Sequence, residues 1–121
     1  MTIIDVYNEL RKQLLPIGLN VHKAFKPEND TANCIIINSI PIKKNNYNSI
    51  FDIVITLYIK KINSEFDGVT ANRILPLISD GITGFVSSGH NVTVTERLDP
   101  HTINLNDSYT TTEFIFRTII F

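Results

Sequence analysis

The last thirteen residues, Tyr109 to Phe121, read as one long β-strand. One register carries Tyr109, Thr111, Glu113, Ile115, Arg117, Ile119 and Phe121, and the other Thr110, Thr112, Phe114, Phe116, Thr118 and Ile120. A strand covered on one side only alternates cleanly between apolar and polar residues, whereas here both registers turn apolar toward the end. Phe114 to Phe121 is therefore expected to be covered on both faces, by the chain's own helices or by another subunit. The candidate subunit interface is Phe114, Phe116, Arg117, Ile119 and Phe121. Glu113 and Arg117 are placed to pair across such an interface or along the face they share. Tyr109 to Thr112 is polar enough to be expected near solvent.

The other elements follow from periodicity and punctuation. Thr2 and Asp5 stand in capping-box positions before Ile3, Val6, Tyr7, Leu10 and Leu14, so an amphipathic helix is expected over about 3–15, ended by Pro16 and Gly18. Strand periods follow over Leu19 to Phe25, Cys34 to Ile40 and Asn48 to Lys61. The link Pro41 to Tyr47 reads as a hairpin tip carrying Lys43 and Lys44 into solvent. Ser64 and Asp67 can both cap a second helix, whose Val69, Ile74, Leu75, Ile78 and Ile82 form a broad apolar face. Pro76 predicts either a kink or two short helices meeting near Leu75. Gly81, Gly84 and Gly89 are read as loosening the stretch beyond. Val92 to Leu98 resumes the strand period, Asp99-Pro100-His101 forms a turn or loop, and the terminal strand follows.

This order, αβββαββ, predicts a single α+β domain over 1–121. Its mainly antiparallel sheet of about five strands carries two helices on one face. The length suits one hydrophobic core. A formal charge of −1 gives no overall pull toward nucleic acid or anionic membrane. No apolar run approaches the roughly 20 residues of a membrane span, and the N-terminus lacks a signal-peptide pattern, so a soluble protein made in the cytoplasm is expected.

No residue constellation designates a catalytic, cofactor or metal site. Cys34 is the only cysteine, so neither an internal disulfide nor a cysteine-based zinc site is expected. At the head of Cys34-Ile35-Ile36-Ile37 it reads as a small core residue rather than a nucleophile. His22, His90 and His101 have no metal-motif spacing. Asp99 near His101 and Ser87-Ser88 near His90 have no recognisable catalytic order. Gly81-Ile82-Thr83-Gly84 matches a GXXG backbone clamp, but no Lys or Arg lies between Ile74 and Asn91 to attract phosphate, so a flexible helix exit is the reading. Lys43-Lys44 and Lys60-Lys61 read as solvated, edge-protecting ends. The sharper reading makes Lys43 and Lys44 a contact with a partner or with DNA in a channel, without sequence readout.

In length and element order, across nearly the whole chain, the sequence resembles the tail terminator or tail completion proteins of tailed bacteriophages and the related ring-forming neck components. The resemblance implies a non-enzymatic virion protein that needs no cofactor. It would form a homo-oligomeric ring at the tail end or head–tail junction, around the DNA channel, binding other connector, portal or tail-tube proteins and no membrane. Pro76 within the second helix departs from that pattern. Head-to-tail rings need two complementary surfaces on one protomer, and sheet edges with a two-faced terminal strand offer them. The competing expectation is a small intracellular ligand-binding or regulatory module that forms a homo-oligomer.

Overall fold

A computed structural model describes residues 2–44, 47–86, 92–97 and 99–120, with the backbone alone over 92–97. Helix α1 spans Ile3–Leu14 and begins in the expected capping box, with the Asp5 amide donating to Thr2 Oγ1 at 3.3 Å and the Thr2 amide to Asp5 Oδ2 at 2.8 Å. A 3-10 turn, Leu15–Ile17, ends at Gly18, whose φ of 91° is left-handed and suits glycine. Strands β1 (Asn20–Lys23), β2 (Cys34–Lys44) and β3 (Ser49–Lys60) follow, then α2 (Gly68–Val86), β4 (Val92–Arg97), β5 (His101–Asn104) and β6 (Tyr109–Ile120).

The sheet order is β1-β2-β3-β6-β4, with β5 also paired to β6. Among the described residues only the β1–β2 pairing is parallel. The fold is the expected α+β class with a mostly antiparallel sheet. Strand β5 adds a short element where the sequence suggested a loop beginning at Asp99.

Both helices cover one face. Val6, Leu10 and Leu14 of α1 and Ala71, Ile74, Ile78, Ile82 and Phe85 of α2 share one core with Ile35, Ile37, Ile53, Ile55, Leu57, Ile59, Phe114 and Phe116. The strand residues come from the register that faces the helices, since Ile55 stands between Ile37 and Phe114, and Ile53 opposite Phe116. Each large aliphatic or aromatic side chain buried here contributes on the order of 1.5–3 kcal/mol.

Helix α2 is one continuous helix with Pro76 inside it, not two short ones. Asp67 caps it, accepting from the Thr70 amide at 3.1 Å. Val69, expected on the apolar face, is exposed. Gly81 and Gly84 do not loosen a helix exit. They lie within α2 at its seam with α1, where a Cβ at Gly81 would meet Leu14 Cδ2 at 2.8 Å and one at Gly84 would meet Gln13 Oε1 at 2.7 Å. Their missing side chains set how closely the helices approach. Gly89 lies outside the described residues.

The central strand pair explains why β6 is apolar in both registers. Strand β6 lies inside the sheet, with β3 on one side and β4 and β5 on the other, so its second face is half-covered by neighbouring strands alone. The expectation that Tyr109 to Thr112 lies near solvent is corrected: Thr110, Thr111 and Thr112 are buried. Strand β5 runs beside them, and two of their hydroxyl groups find partners, with Thr112 Oγ1 lying 2.8 Å from Thr102 Oγ1 and Thr110 donating to the Ile59 carbonyl at 3.5 Å.

Candidate functional site

The face of the sheet turned away from the helices holds most of the features from which function can be argued. Its rows are set by register: Thr56 beside Glu113, Val54 beside Ile115, Asp52 beside Arg117 and Ile50 beside Ile119. Arg117 grips Asp52 through two hydrogen bonds, Nε to Oδ1 at 2.9 Å and an Nη to Oδ2 at 3.2 Å. Apolar side chains flank this pair on the same face. Residues 24–33 connect two parallel strands, and their first part, Ala24 to Lys26, forms one wall of a groove of about 510 Å³ floored by Ile36, Val54, Tyr58 and Ile115. Lys26 Nζ lies 4.9 Å from the Tyr109 ring centroid, and Tyr109 meets Tyr58 edge-on at 5.9 Å.

The residues singled out from the sequence are divided between the two faces. Phe114 and Phe116 point into the chain's own core beneath the helices, with 3% and 1% of their surface exposed, so they have no side-chain surface to offer a neighbour. Arg117 and Ile119 are half-buried on the opposite face. Phe121 lies outside the described residues. Within the chain, Glu113 and Arg117 do not pair along the face they share, since Arg117 takes Asp52.

Lys43 and Lys44 are exposed, but they sit within β2 rather than in a loop, opposite Ile50 and Ser49 after a bulge at Ile42. The hairpin tip is therefore shorter than the sequence suggested. Lys60, at the far end of β3, is eleven residues from Ser49, or roughly 36 Å along an extended strand. The two lysine pairs do not form one basic patch.

Past Ile37, β2 has no strand on its outer side among the described residues. The Ile37 carbonyl accepts from the Ala24 amide at 2.9 Å, which places odd-numbered backbone groups on that side. The next of them are Ser39, whose amide is taken by Asn38 Oδ1 at 2.9 Å, and Pro41, which has no amide hydrogen. A bulge and two lysines complete the protection, so this edge resists the addition of another strand. The same segment leaves Ile40 and Ile42 about half exposed and Tyr47 87% exposed. Contact with a partner here would run through side chains rather than through sheet extension.

At the opposite corner, the parallel register brings Asn20 beside Cys34 and His22 beside Ile36. Asp30 folds back to meet them, with Oδ2 2.6 Å from His22 Nε2 and 3.2 Å from Asn20 Nδ2, while Oδ1 accepts from the Ala32 amide at 3.1 Å. These hydrogen bonds, the one from His22 foremost, hold the Asp30 carboxyl below its ordinary range. Burial, aided by the Asp30 charge, pushes the Cys34 thiol up to about 11. A protonated, buried thiol is a poor nucleophile, consistent with the packing role read for Cys34. His22, Asp30 and Cys34 nonetheless place their ligand atoms within 4.8 Å of one another. Sequence spacing concealed this cluster because strand register and a returning loop assemble it. His90 lies outside the described residues, and His101 is exposed on β5.

Between α1 and the sheet lies a cavity of about 50 Å³ lined by Val6, Tyr7, Leu10 and Ile53, room for water rather than for a metabolite. No helix among the described residues is long and apolar enough to cross a membrane.

No protein-family model matches the chain, and no curated protein matches it. Among solved structures it is similar to a chain in the virion of a native gene transfer agent particle. The superposition has a TM-score of 0.54 at 12% identity and covers 95% of this chain and 90% of that one. At that identity the likeness is one of fold, and it takes in most of both chains.

Proposed function

We propose that this chain is a structural virion protein of the tail-terminator or tail-completion type. In this reading it assembles into a ring at the tail end or head–tail junction of a phage-like particle, around the DNA channel, and joins neighbouring rings of connector, portal or tail-tube proteins. The observation that carries the reading is the fold likeness to a chain of a gene transfer agent virion. The match covers 95% of this chain and 90% of that one.

The surface supports the reading in two ways. The protected edge of β2 disfavours open-ended strand addition, which would give fibres in place of a closed assembly. The face opposite the helices carries Val54, Ile115 and Ile119 around the Asp52–Arg117 pair, and it continues onto the hairpin arm, where Ile40 stands beside Asp52 and Lys43 beside Ile50. The helix layer on the other side of the sheet leaves Ile4, Val69 and Leu77 exposed. Head-to-tail contacts need two such surfaces on one protomer. Arg117, Ile119, Lys43 and Lys44 belong to the sheet side, where the lysines would meet a partner or the channel DNA.

Negative-stain microscopy of the purified chain, alone and mixed with a portal or tail-tube protein of its own particle, tests this directly. Closed rings are expected under at least one of these conditions. Particles that remain monomers or dimers in every mixture would overturn the proposal. The groove of about 510 Å³ favours a second reading, a small-ligand module, because its volume falls in the range of ligand sites. That reading requires a metabolite to raise the melting temperature of the ring-free protein.

A further inference from the structure

We propose that His22, Asp30 and Cys34 form a three-ligand site for a borderline-soft divalent cation of the zinc type. Three kinds of donor converge there: an imidazole nitrogen, a carboxylate oxygen and a sulfur, all within 4.8 Å of one another. That mixture suits zinc, and a sulfur ligand disfavours magnesium and calcium, which take oxygen donors.

The fold presents the donors from three directions. His22 and Cys34 come from adjacent parallel strands on the face away from the helices, and Asp30 comes down on them from the returning loop. Tetrahedral zinc with bonds of about 2.0–2.3 Å holds its ligand atoms roughly 3.5 Å apart. The Nε2 to Oδ2 distance of 2.6 Å must therefore open by about 1 Å as the ion enters between them. Cys34 draws inward as a thiolate, and its proton passes to solvent.

The outer partners are already in place. Asn20 Nδ2 and the Ala32 amide hold the Asp30 carboxylate, and Asn33 Oδ1 accepts from the Lys60 amide at 2.7 Å, tying the end of the loop to β3. Such second partners orient ligands and raise affinity. The approach is from the His22 side, whose side chain is 25% exposed, while Cys34 is fully buried. Water fills the fourth position. Bound there, the ion staples residues 24–33 to the sheet, and the same loop carries Phe25 and Lys26 on the wall of the groove. The site thus fixes one rim of the face assigned above to assembly, although its existence does not depend on that assignment.

Titration of the full chain with Co²⁺ as the probe is the test. The expected result is a saturable sulfur-to-cobalt charge-transfer band that Zn²⁺ abolishes by displacement and Mg²⁺ does not. Cys34→Ala should remove the band, and His22→Ala and Asp30→Asn should each weaken binding by about tenfold or more. Zn²⁺ should also raise the melting temperature of the wild-type chain and leave that of Cys34→Ala unchanged. Circular dichroism of each variant separates a lost ligand from a lost fold. If Cys34→Ala unfolds, the His22 and Asp30 variants, altered at the surface and in a loop, still decide the matter. Absence of the sulfur band in the wild-type chain, or equal affinity in the His22 and Asp30 variants, would overturn the proposal.

Discussion

On the two faces of the β3–β6 pair, the same backbone ladder supports opposite kinds of chemistry. Toward the helices stand Ile53 with Phe116 and Ile55 with Phe114, each almost fully buried. On the other face stand Asp52 with Arg117, Val54 with Ile115 and Thr56 with Glu113, all half-buried. The first face holds the fold together, and its residues are interchangeable in kind. The second mixes charge, hydroxyl and hydrocarbon in fixed rows, which stability alone does not require. A surface of that composition is suited to meeting another molecule.

The contrast breaks most readily through truncation on each side of one strand. Phe116→Ala should cost about 3–5 kcal/mol, because it leaves a cavity between Phe85 and Ile53. Ile115→Ala, one residue away, should cost less, roughly 1 kcal/mol in the isolated protomer, since its side chain is only partly buried. Urea denaturation of both variants checks this. Equal losses would mean that the outer face is packed as a second core. If rings form, Ile115→Ala should weaken assembly more than it weakens the protomer.

The helix layer holds a smaller contrast of the same type. At Gly81 a new methyl group meets Leu14, which is fully buried, whereas at Gly84 it meets only the flexible end of Gln13. Overpacking costs typically 1–3 kcal/mol and the helical preference of alanine returns about 1 kcal/mol. Gly81→Ala should therefore lower the melting temperature and Gly84→Ala raise it slightly. Stabilisation by both would show that the seam between the helices yields.

The inner face was legible in the sequence, and the outer face far less so. The stripe of Val6, Leu10 and Leu14, its capping box and the alternation along β3 follow from local periodicity, which needs no knowledge of neighbours. Which register of β6 met the helices was not readable, because both registers turn apolar in a strand flanked on both sides. The burial of Thr110 to Thr112 depends on β5, four exposed residues, His101–Asn104, with too little pattern to announce a strand. Gly81 and Gly84 looked like flexibility because a glycine at a helix seam and one in a loop read alike. The cluster of His22, Asp30 and Cys34 requires a parallel pairing and a returning loop, neither of which leaves a spacing signature.

The Arg117–Asp52 pair offers the smallest effect and the most direct probe of what covers the outer face. The pair makes two hydrogen bonds, but 40% of the Arg117 side chain and 22% of that of Asp52 remain exposed, so solvent screens the attraction. A double-mutant cycle with Arg117→Ala and Asp52→Ala in the protomer should give a coupling of about 0.5 kcal/mol, falling as salt is added. Arg117 also makes a further interaction, so the single substitution should cost more than the coupling. In an assembly that buries this face the balance changes. Removing one partner would then leave the other charge desolvated and unpaired, a loss of about 3–5 kcal/mol. The same cycle measured on dissociation of the assembled particle should therefore give a much larger value than in the protomer. An unchanged coupling would place the subunit contact elsewhere on the protomer.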